Sequence, residues 1–150
     1  MAKFLEASPH VEKVLFPASP NHPQYEVRYF IKIKSGFFLI LPLFILIQII
    51  KRQQSGYSGM ISFYIKGDLE TSRKFLKSLK MFHVAVSLGG YSSMAQLPYE
   101  MTHRWIPDEE KVSYGITENL IRISLGLEDT EDIIEDIKQA LATSCSVGNK

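Results

Sequence analysis

The clearest alternation of hydrophobic and polar residues runs from Leu120 to Leu125. One face of this stretch carries three aliphatic side chains, Ile121, Ile123 and Leu125. A period of two residues is typical of a half-buried β-strand. The pattern therefore predicts a strand, with Arg122 on the face opposite the aliphatic side chains.

Beyond Gly126 the hydrophobic period lengthens to that of a helix. The apolar positions of this segment fall at helical spacing: Ile133, Ile134, Ile137, Ala140 and Leu141. Acidic residues precede them, and negative charge is favourable at the positive N-terminal end of a helix. The pattern predicts a helix with Asp129 or Thr130 as its N-cap.

An earlier segment repeats this order of strand and helix. Met60 to Lys66 alternates like a strand and ends at Gly67, and Asp68 is a favourable N-cap for a helix that continues to about Lys80. The inward positions of that helix are Leu69, Ser72, Phe75, Leu76 and Leu79. The residues from His83 to Val86 are expected to form another short strand.

The N-terminal pattern predicts a short helix at Ala2 to Ser8, a strand at Val11 to Phe16 and a proline-rich loop at Pro17 to Glu26. A length of 150 residues fits one domain. Together the elements predict an α/β fold of the α+β type, with a small antiparallel or mixed sheet and helices on one face.

One stretch differs in composition from the rest of the chain. Phe37 to Ile50 carries no charged residue, and Pro42 interrupts it. As a helix it would span about 21 Å, which is less than the roughly 30 Å of a membrane hydrocarbon core. A membrane span is therefore not favoured. The other two interpretations are a buried or aggregation-prone strand and a segment never selected to fold.

Charge and cysteine content exclude several classes of function. The formal net charge is +1, and the basic residues are scattered, which argues against a nucleic-acid partner. The single cysteine, Cys145, excludes an internal disulfide and suits a reducing, cytoplasmic location. His10 and His22 have no partner at ligand spacing, so no metal site is expected.

Four ordered segments resemble the cystathionine γ-lyase and γ-synthase family, pyridoxal-phosphate enzymes that make or break carbon–sulfur bonds in transsulfuration. The segments are Phe4 to Glu26, Gly59 to Phe82, Ser87 to His103 and Gly115 to Leu141. The resemblance implies the C-terminal domain of a fold-type I pyridoxal-phosphate enzyme that cleaves cystathionine to give cysteine. It also implies an amino-acid thioether substrate, a large domain, and sister subunits of a homo-oligomer, the family's tetramer.

The resemblance implies two substrate-binding residues. Arg122, in the motif LIRIS, would bind the α-carboxylate of the substrate, and Ser87 would lie beside the cofactor lysine and that carboxylate. The residues alone leave Arg122 equally compatible with an ordinary exposed strand position. The loop lining the site would comprise Val86, Leu88, Gly89 and Gly90.

Val86 departs from the pattern of the eukaryotic γ-lyases, which usually carry glutamate before the SLGG motif. A valine here is more like γ-synthases or methionine γ-lyases. An apolar side chain neither repels nor pairs with a second charged end of the substrate. Selectivity between cystathionine and related thioethers therefore stays open.

The family's chemistry uses pyridoxal 5′-phosphate, held by a lysine Schiff base and a phosphate-binding loop in a large domain. No segment of this chain resembles those parts. We therefore expect no catalytic and no cofactor-binding residue here, and the chain alone to be inactive. An alternative is a non-catalytic truncated isoform that binds full-length subunits, or a protein tethered to a membrane through residues 37–50.

Residues 27–48 interrupt the resemblance as an apolar insertion. Their removal joins Glu26 to Ile49 and restores PQYEIIKRQQSGYSGM, which follows the family pattern without a gap. Val27 can be encoded by a codon that begins with GT, and Gln48 by CAG, the two ends of an intron. We therefore interpret Val27 to Gln48 as a retained intron that is translated.

Overall fold

The computed structural model describes residues 1–16, 19 and 57–145. The chain divides into two compact units, residues 1–16 with 59–150 and residues 17–58, and the fold described here belongs to the first. Apart from Ser19, the expected loop at 17–26, the insertion at 27–48 and the uncharged run at 37–50 lie outside the described residues. The expectation of one domain interrupted by residues 27–48 stays a prediction.

Strands and helices are interspersed along the described part of the chain, in which β2 follows β1 and β4 follows β3 without a described helix between them. The strands are β1 (Val11–Leu15), β2 (Met60–Ile65), β3 (His83–Val84), β4 (Met94–Gln96) and β5 (Leu120–Ser124). The helices are α1 (Ala2–Ala7), α2 (Leu69–Ser78), α3 (Asp108–Ser113) and α4 (Thr130–Cys145).

The strands form a five-stranded sheet in the order β1-β2-β5-β4-β3. The β3–β4 pair is parallel, and the other pairs are antiparallel. The predicted α/β fold with a small mixed sheet is confirmed. Because β5 lies between β2 and β4, its residues Arg122, Ile123 and Ser124 have a partner on both sides.

The hydrophobic core lies on one face of the sheet, beneath α2 and α4. In β2 the alternation in the sequence matches the burial, since Ile61, Phe63 and Ile65 are buried while the residues between them are half-buried. The ring of Phe63 packs edge-on against Phe75 of α2, with 5.8 Å between centroids. Apolar area removed from water on this face is the main favourable contribution to folding. The largest fully buried apolar side chains are Phe63, Phe75, Leu5, Ile65, Leu97, Ile121, Ile123, Ile137 and Leu141.

Both long helices begin at the predicted caps. The Asp68 carboxylate accepts the Thr71 backbone N–H at 2.9 Å and the Thr71 hydroxyl at 2.8 Å. Asp129, directly before α4, accepts the Glu131 N–H at 2.8 Å. Such side chains satisfy backbone donors that the first helical turn leaves without a partner.

Three short elements differ from the sequence-based expectation. Strand β3 ends at Val84 rather than Val86, because it lies at the sheet edge with only one neighbouring strand. Strand β4 and helix α3 were not predicted at all. Within residues 1–16 and 57–145, no helix is both long enough and apolar enough to cross a membrane.

Candidate functional site

Arg122 lies in the middle of β5, in register with Ser62 of β2 and Gln96 of β4. Residues directly opposite each other in antiparallel strands share one face of the sheet. Ser62, Arg122 and Gln96 therefore form a row across three strands, here called the Arg122 row. The neighbouring positions Ile121 and Ile123 belong to the core, so the row lies on the opposite face, as the alternation predicted.

The Arg122 guanidinium is half-buried and makes one hydrogen bond within the described part of the chain. Its Nη2 donates to the backbone carbonyl of Val86 at 3.1 Å. Burial lowers the pKa of Arg122 below its ordinary value, yet a guanidinium stays charged in proteins. No described carboxylate forms an ion pair with it. Its other N–H donors can therefore serve a ligand.

The loop that carries Val86 to Gly90 is fixed to β5 at two points. Arg122 binds its first residue, and the Gly89 N–H donates to the Ser124 hydroxyl at 2.8 Å. Gly89 adopts a φ of +72°, a conformation that glycine reaches without strain. The structure thus brings Arg122 together with the predicted loop, although they are far apart in the sequence.

The side chains of this loop face solvent. Val86 is 54% exposed and Leu88 52% exposed, and the Ser87 side chain is also exposed. Gly90 is equally exposed. The assignment of Ser87 and the loop to substrate binding is not tested by this arrangement and stays a prediction.

A carboxylate holds the far end of the loop. Glu128 accepts the Ser93 N–H at 2.7 Å and the Ser93 hydroxyl at 2.8 Å, and the same hydroxyl accepts the Gly126 N–H at 3.0 Å. The hydrogen bond from the Ser93 backbone is the main reason that the pKa of Glu128 lies below its ordinary value. A Cβ at Gly126 would collide with the Tyr91 carbonyl oxygen. We call Glu128, Ser93 and Gly126 the loop clasp.

Gln96, the third residue of the Arg122 row, was missed by the sequence analysis. Its side chain is 2% exposed, and neither its amide oxygen nor its amide nitrogen has a hydrogen-bond partner among the described residues. The three-residue strand MAQ contains too few positions for an alternating pattern. The sequence therefore offered no signal that this glutamine is buried beside the arginine.

The buried lysine of the described chain does not fit the part of a pyridoxal-phosphate site that holds the cofactor. A Schiff base needs an available lysine amine. Lys111 is the buried lysine of the described chain, at 4% exposure. Its ammonium already pairs with Asp108 at 2.9 Å and lies 4.0 Å from the centroid of the Tyr99 ring.

The arrangement fits recognition of a carboxylate instead. A planar guanidinium offers two parallel N–H donors that match the two oxygens of a carboxylate. Arg122 presents that fork from a strand with partners on both sides, next to a loop held by two further contacts. A ligand anion bound here would therefore meet a donor whose position is set by the sheet.

Comparisons with known proteins agree with the sequence resemblance. A model of the family described as Cys/Met metabolism PLP-dependent enzyme matches residues 32–142. Mouse cystathionine γ-lyase is 45% identical over 141 residues, which cover 94% of this chain and 30% of the mouse protein.

Two further relatives match over the same number of residues at similar identity. Human cystathionine γ-lyase is 44% identical over 141 residues, and a putative cystathionine γ-lyase 2 of Caenorhabditis elegans is 48% identical over 141 residues. These matches cover 94% of this chain and 29% and 30% of the two relatives. The chain thus spans about 30% of the length of the curated relatives it matches.

Proposed function

Because this chain belongs to the family of Cys/Met metabolism PLP-dependent enzymes, we propose that it is the C-terminal domain of a cystathionine γ-lyase-like enzyme. The whole enzyme would cleave a carbon–sulfur bond of an amino-acid thioether such as cystathionine, giving cysteine. The observation that carries this proposal is the half-buried Arg122 fork beside the Val86 to Gly90 loop. The expected location of the enzyme is the cytoplasm.

In this proposal Arg122 binds and orients the α-carboxylate of the substrate. It does not transfer a proton, since a guanidinium does not give up its proton in proteins. Ser87 and the loop around it line the entrance to the site. Val86 presents an apolar surface there, so the selectivity between cystathionine and related thioethers stays open.

The cofactor in this proposal belongs to the large domain and to sister subunits of a homo-oligomer. Pyridoxal phosphate requires an available lysine, and the buried Lys111 is already paired with Asp108. We therefore expect the isolated chain to bring about no turnover. Its contribution is the end of the site that binds the substrate carboxylate.

A chimaera tests the proposed role of Arg122. The chain replaces the matching 30% of mouse cystathionine γ-lyase, and Arg122→Ala is compared with Arg104→Ala, which changes an arginine beside the exposed Trp105 ring. We expect Arg122→Ala to lower kcat/KM. The expected loss corresponds to about 1.5–3 kcal/mol of transition-state binding free energy, the typical value for a hydrogen bond to a charged group. Arg104→Ala should leave kcat/KM unchanged, and the isolated chain serves as the blank. An unchanged kcat/KM for Arg122→Ala in an active chimaera would show that this arginine does not bind the substrate.

A further inference from the structure

Gln96 of β4 carries a buried amide. Both of its polar atoms are inaccessible to solvent and without a hydrogen-bond partner within residues 1–16 and 57–145. Burying an amide in this way is unfavourable, and an aliphatic side chain of similar size would avoid the loss. Gln96 therefore weakens the sheet, and a functional role is one explanation for a buried polar group without a partner.

The nearest cross-strand partner of Gln96 is Arg122. The register places Gln96 directly opposite Arg122 in the β4–β5 pair, and directly opposed residues have Cβ atoms about 4.5–5.5 Å apart. Both side chains are long enough to meet over that distance. The amide oxygen accepts hydrogen bonds, and the guanidinium has five N–H donors and no acceptor.

Arg122 nevertheless gives its hydrogen bond to the loop. Its Nη2 donates to the Val86 carbonyl, and no hydrogen bond joins it to Gln96 in the described structure. Arg122 thus has two acceptors on neighbouring elements, the Val86 carbonyl of the loop that follows β3 and the amide oxygen of Gln96 on β4. Of these two acceptors, the Val86 carbonyl receives the hydrogen bond in the described structure.

We propose that Gln96 is a positioning residue for Arg122: its amide oxygen accepts an N–H of the guanidinium when a carboxylate is bound. This inference rests on the proposed function, because it assumes that Arg122 binds the carboxylate. Hydrogen bonds to Gln96 and to the ligand together fix the plane of the Arg122 guanidinium. Arg122 can then release its hydrogen bond to the Val86 carbonyl. A neutral amide suits this role, since it orients the guanidinium without neutralising its charge.

The test measures acetate binding to the 150-residue chain by nuclear magnetic resonance, following the Arg122 Nε–H and the Gln96 side-chain NH₂ signals. Acetate should shift both signals saturably, whereas uncharged acetamide should not. Gln96→Leu should weaken acetate binding by about tenfold, the equivalent of one hydrogen bond. Gln96→Glu places a carboxylate opposite Arg122, where it would neutralise the guanidinium, so acetate should no longer shift the Arg122 signal in this variant.

A thermal melt separates this role from a purely structural one. Without acetate, Gln96→Leu should raise Tm by about 2–4 °C, because an unpaired buried amide has been removed. A lower Tm for this variant would mean that Gln96 is satisfied inside the fold, and it would overturn the inference. Equal acetate affinity for wild type and Gln96→Leu would also overturn it.

The measurements distinguish a failure of the proposed function of Arg122 from a failure of the positioning role of Gln96. If Arg122→Leu binds acetate as tightly as wild type, the carboxylate assignment itself is wrong. If Arg122→Leu abolishes binding while Gln96→Leu has no effect, Arg122 keeps its role and only the positioning role of Gln96 is lost. A contact between the Gln96 NH₂ protons and residues 17–56 would likewise show that the amide has a partner within the chain, against the inference.

Discussion

At the scale of single residues, the chemistry of this domain depends on which polar groups have partners. Glu128 has several, and Gln96 has none among the described residues. Arg122 is intermediate, with one backbone acceptor. The alternation in the sequence predicted that Arg122 lies on the strand face opposite the aliphatic side chains. Only the family resemblance suggested what this arginine binds. Its contact with Val86 follows from the fold, since no local pattern relates two residues so far apart.

The loop clasp predicts a pH-dependent contribution to stability. Hydrogen bonds from Ser93 hold the pKa of Glu128 below its ordinary value in the folded chain. A carboxylate with a depressed folded pKa stabilises the fold above its unfolded pKa of about 4.3, and the contribution is lost as pH falls through the folded pKa. Glu128→Gln should therefore lower the free energy of unfolding at pH 7, and the deficit should shrink towards about pH 3.

Urea unfolding at a series of pH values measures this difference. Ser93→Ala is the matched control, because it removes the hydroxyl donor but keeps the backbone N–H donor to Glu128. It should reduce the pH-dependent part without abolishing it. A deficit of the same size at pH 3 and pH 7 would show that the charge of Glu128 contributes nothing to the clasp.

At the scale of elements, sequence patterns succeeded where an element was long and periodic. Strands β2 and β5 and helices α2 and α4 have regular apolar positions, and each formed close to its expected bounds. Helix α3 was missed because its sequence, DEEKVS, has no apolar stripe and buries the ammonium-bearing Lys111 instead. Tertiary contacts, rather than periodicity, form such elements.

A carboxylate joins the two long helices. Asp136 of α4 is 6% exposed and accepts the backbone N–H of Lys80, at 3.0 Å to each oxygen, and of Met81 at 2.8 Å. These donors lie just after the end of α2. Asp136 thus satisfies backbone groups of the turn that leads into β3, where a buried N–H without a partner would be unfavourable.

Asp136→Ala should destabilise the chain by about 1–3 kcal/mol, because it leaves these donors without an acceptor. Glu135→Ala is a neighbouring control, since Glu135 is exposed and pairs with Lys138 on the surface at 3.1 Å. That change should alter stability by no more than about 1 kcal/mol. Chemical denaturation of both variants gives the comparison. Equal losses would argue that the buried carboxylate contributes no more than a surface charge.

At the scale of the whole molecule, the open question is the segment from Val27 to Gln48. It lies outside the described residues, and the proposal that it is a translated intron rests on the sequence alone. Residues 37–48 of this segment carry no charge, and such an apolar run promotes aggregation where it is exposed. The chain lacking Val27 to Gln48 should therefore be more soluble and unfold more cooperatively than the 150-residue chain.

Matched expression and thermal melts of the two forms test this prediction. The genomic sequence gives a second, independent measurement, since an intron requires GT at the Val27 codon and AG at the Gln48 codon. If the deletion unfolds the domain, or if those bases are absent, the segment is a genuine structural element. The interpretations as a buried strand or a membrane segment then gain support.

The position of β5 also constrains how the domain is made on the ribosome. In the sheet β5 lies between β2 and β4, but in the chain it follows both of them. Until Leu120 to Ser124 has been synthesised, β2 and β4 each keep an open hydrogen-bonding edge, and such edges are prone to pair with other chains. The open edge of β2 therefore persists while residues 66–124 are synthesised, and pairing with another chain is a hazard during that interval.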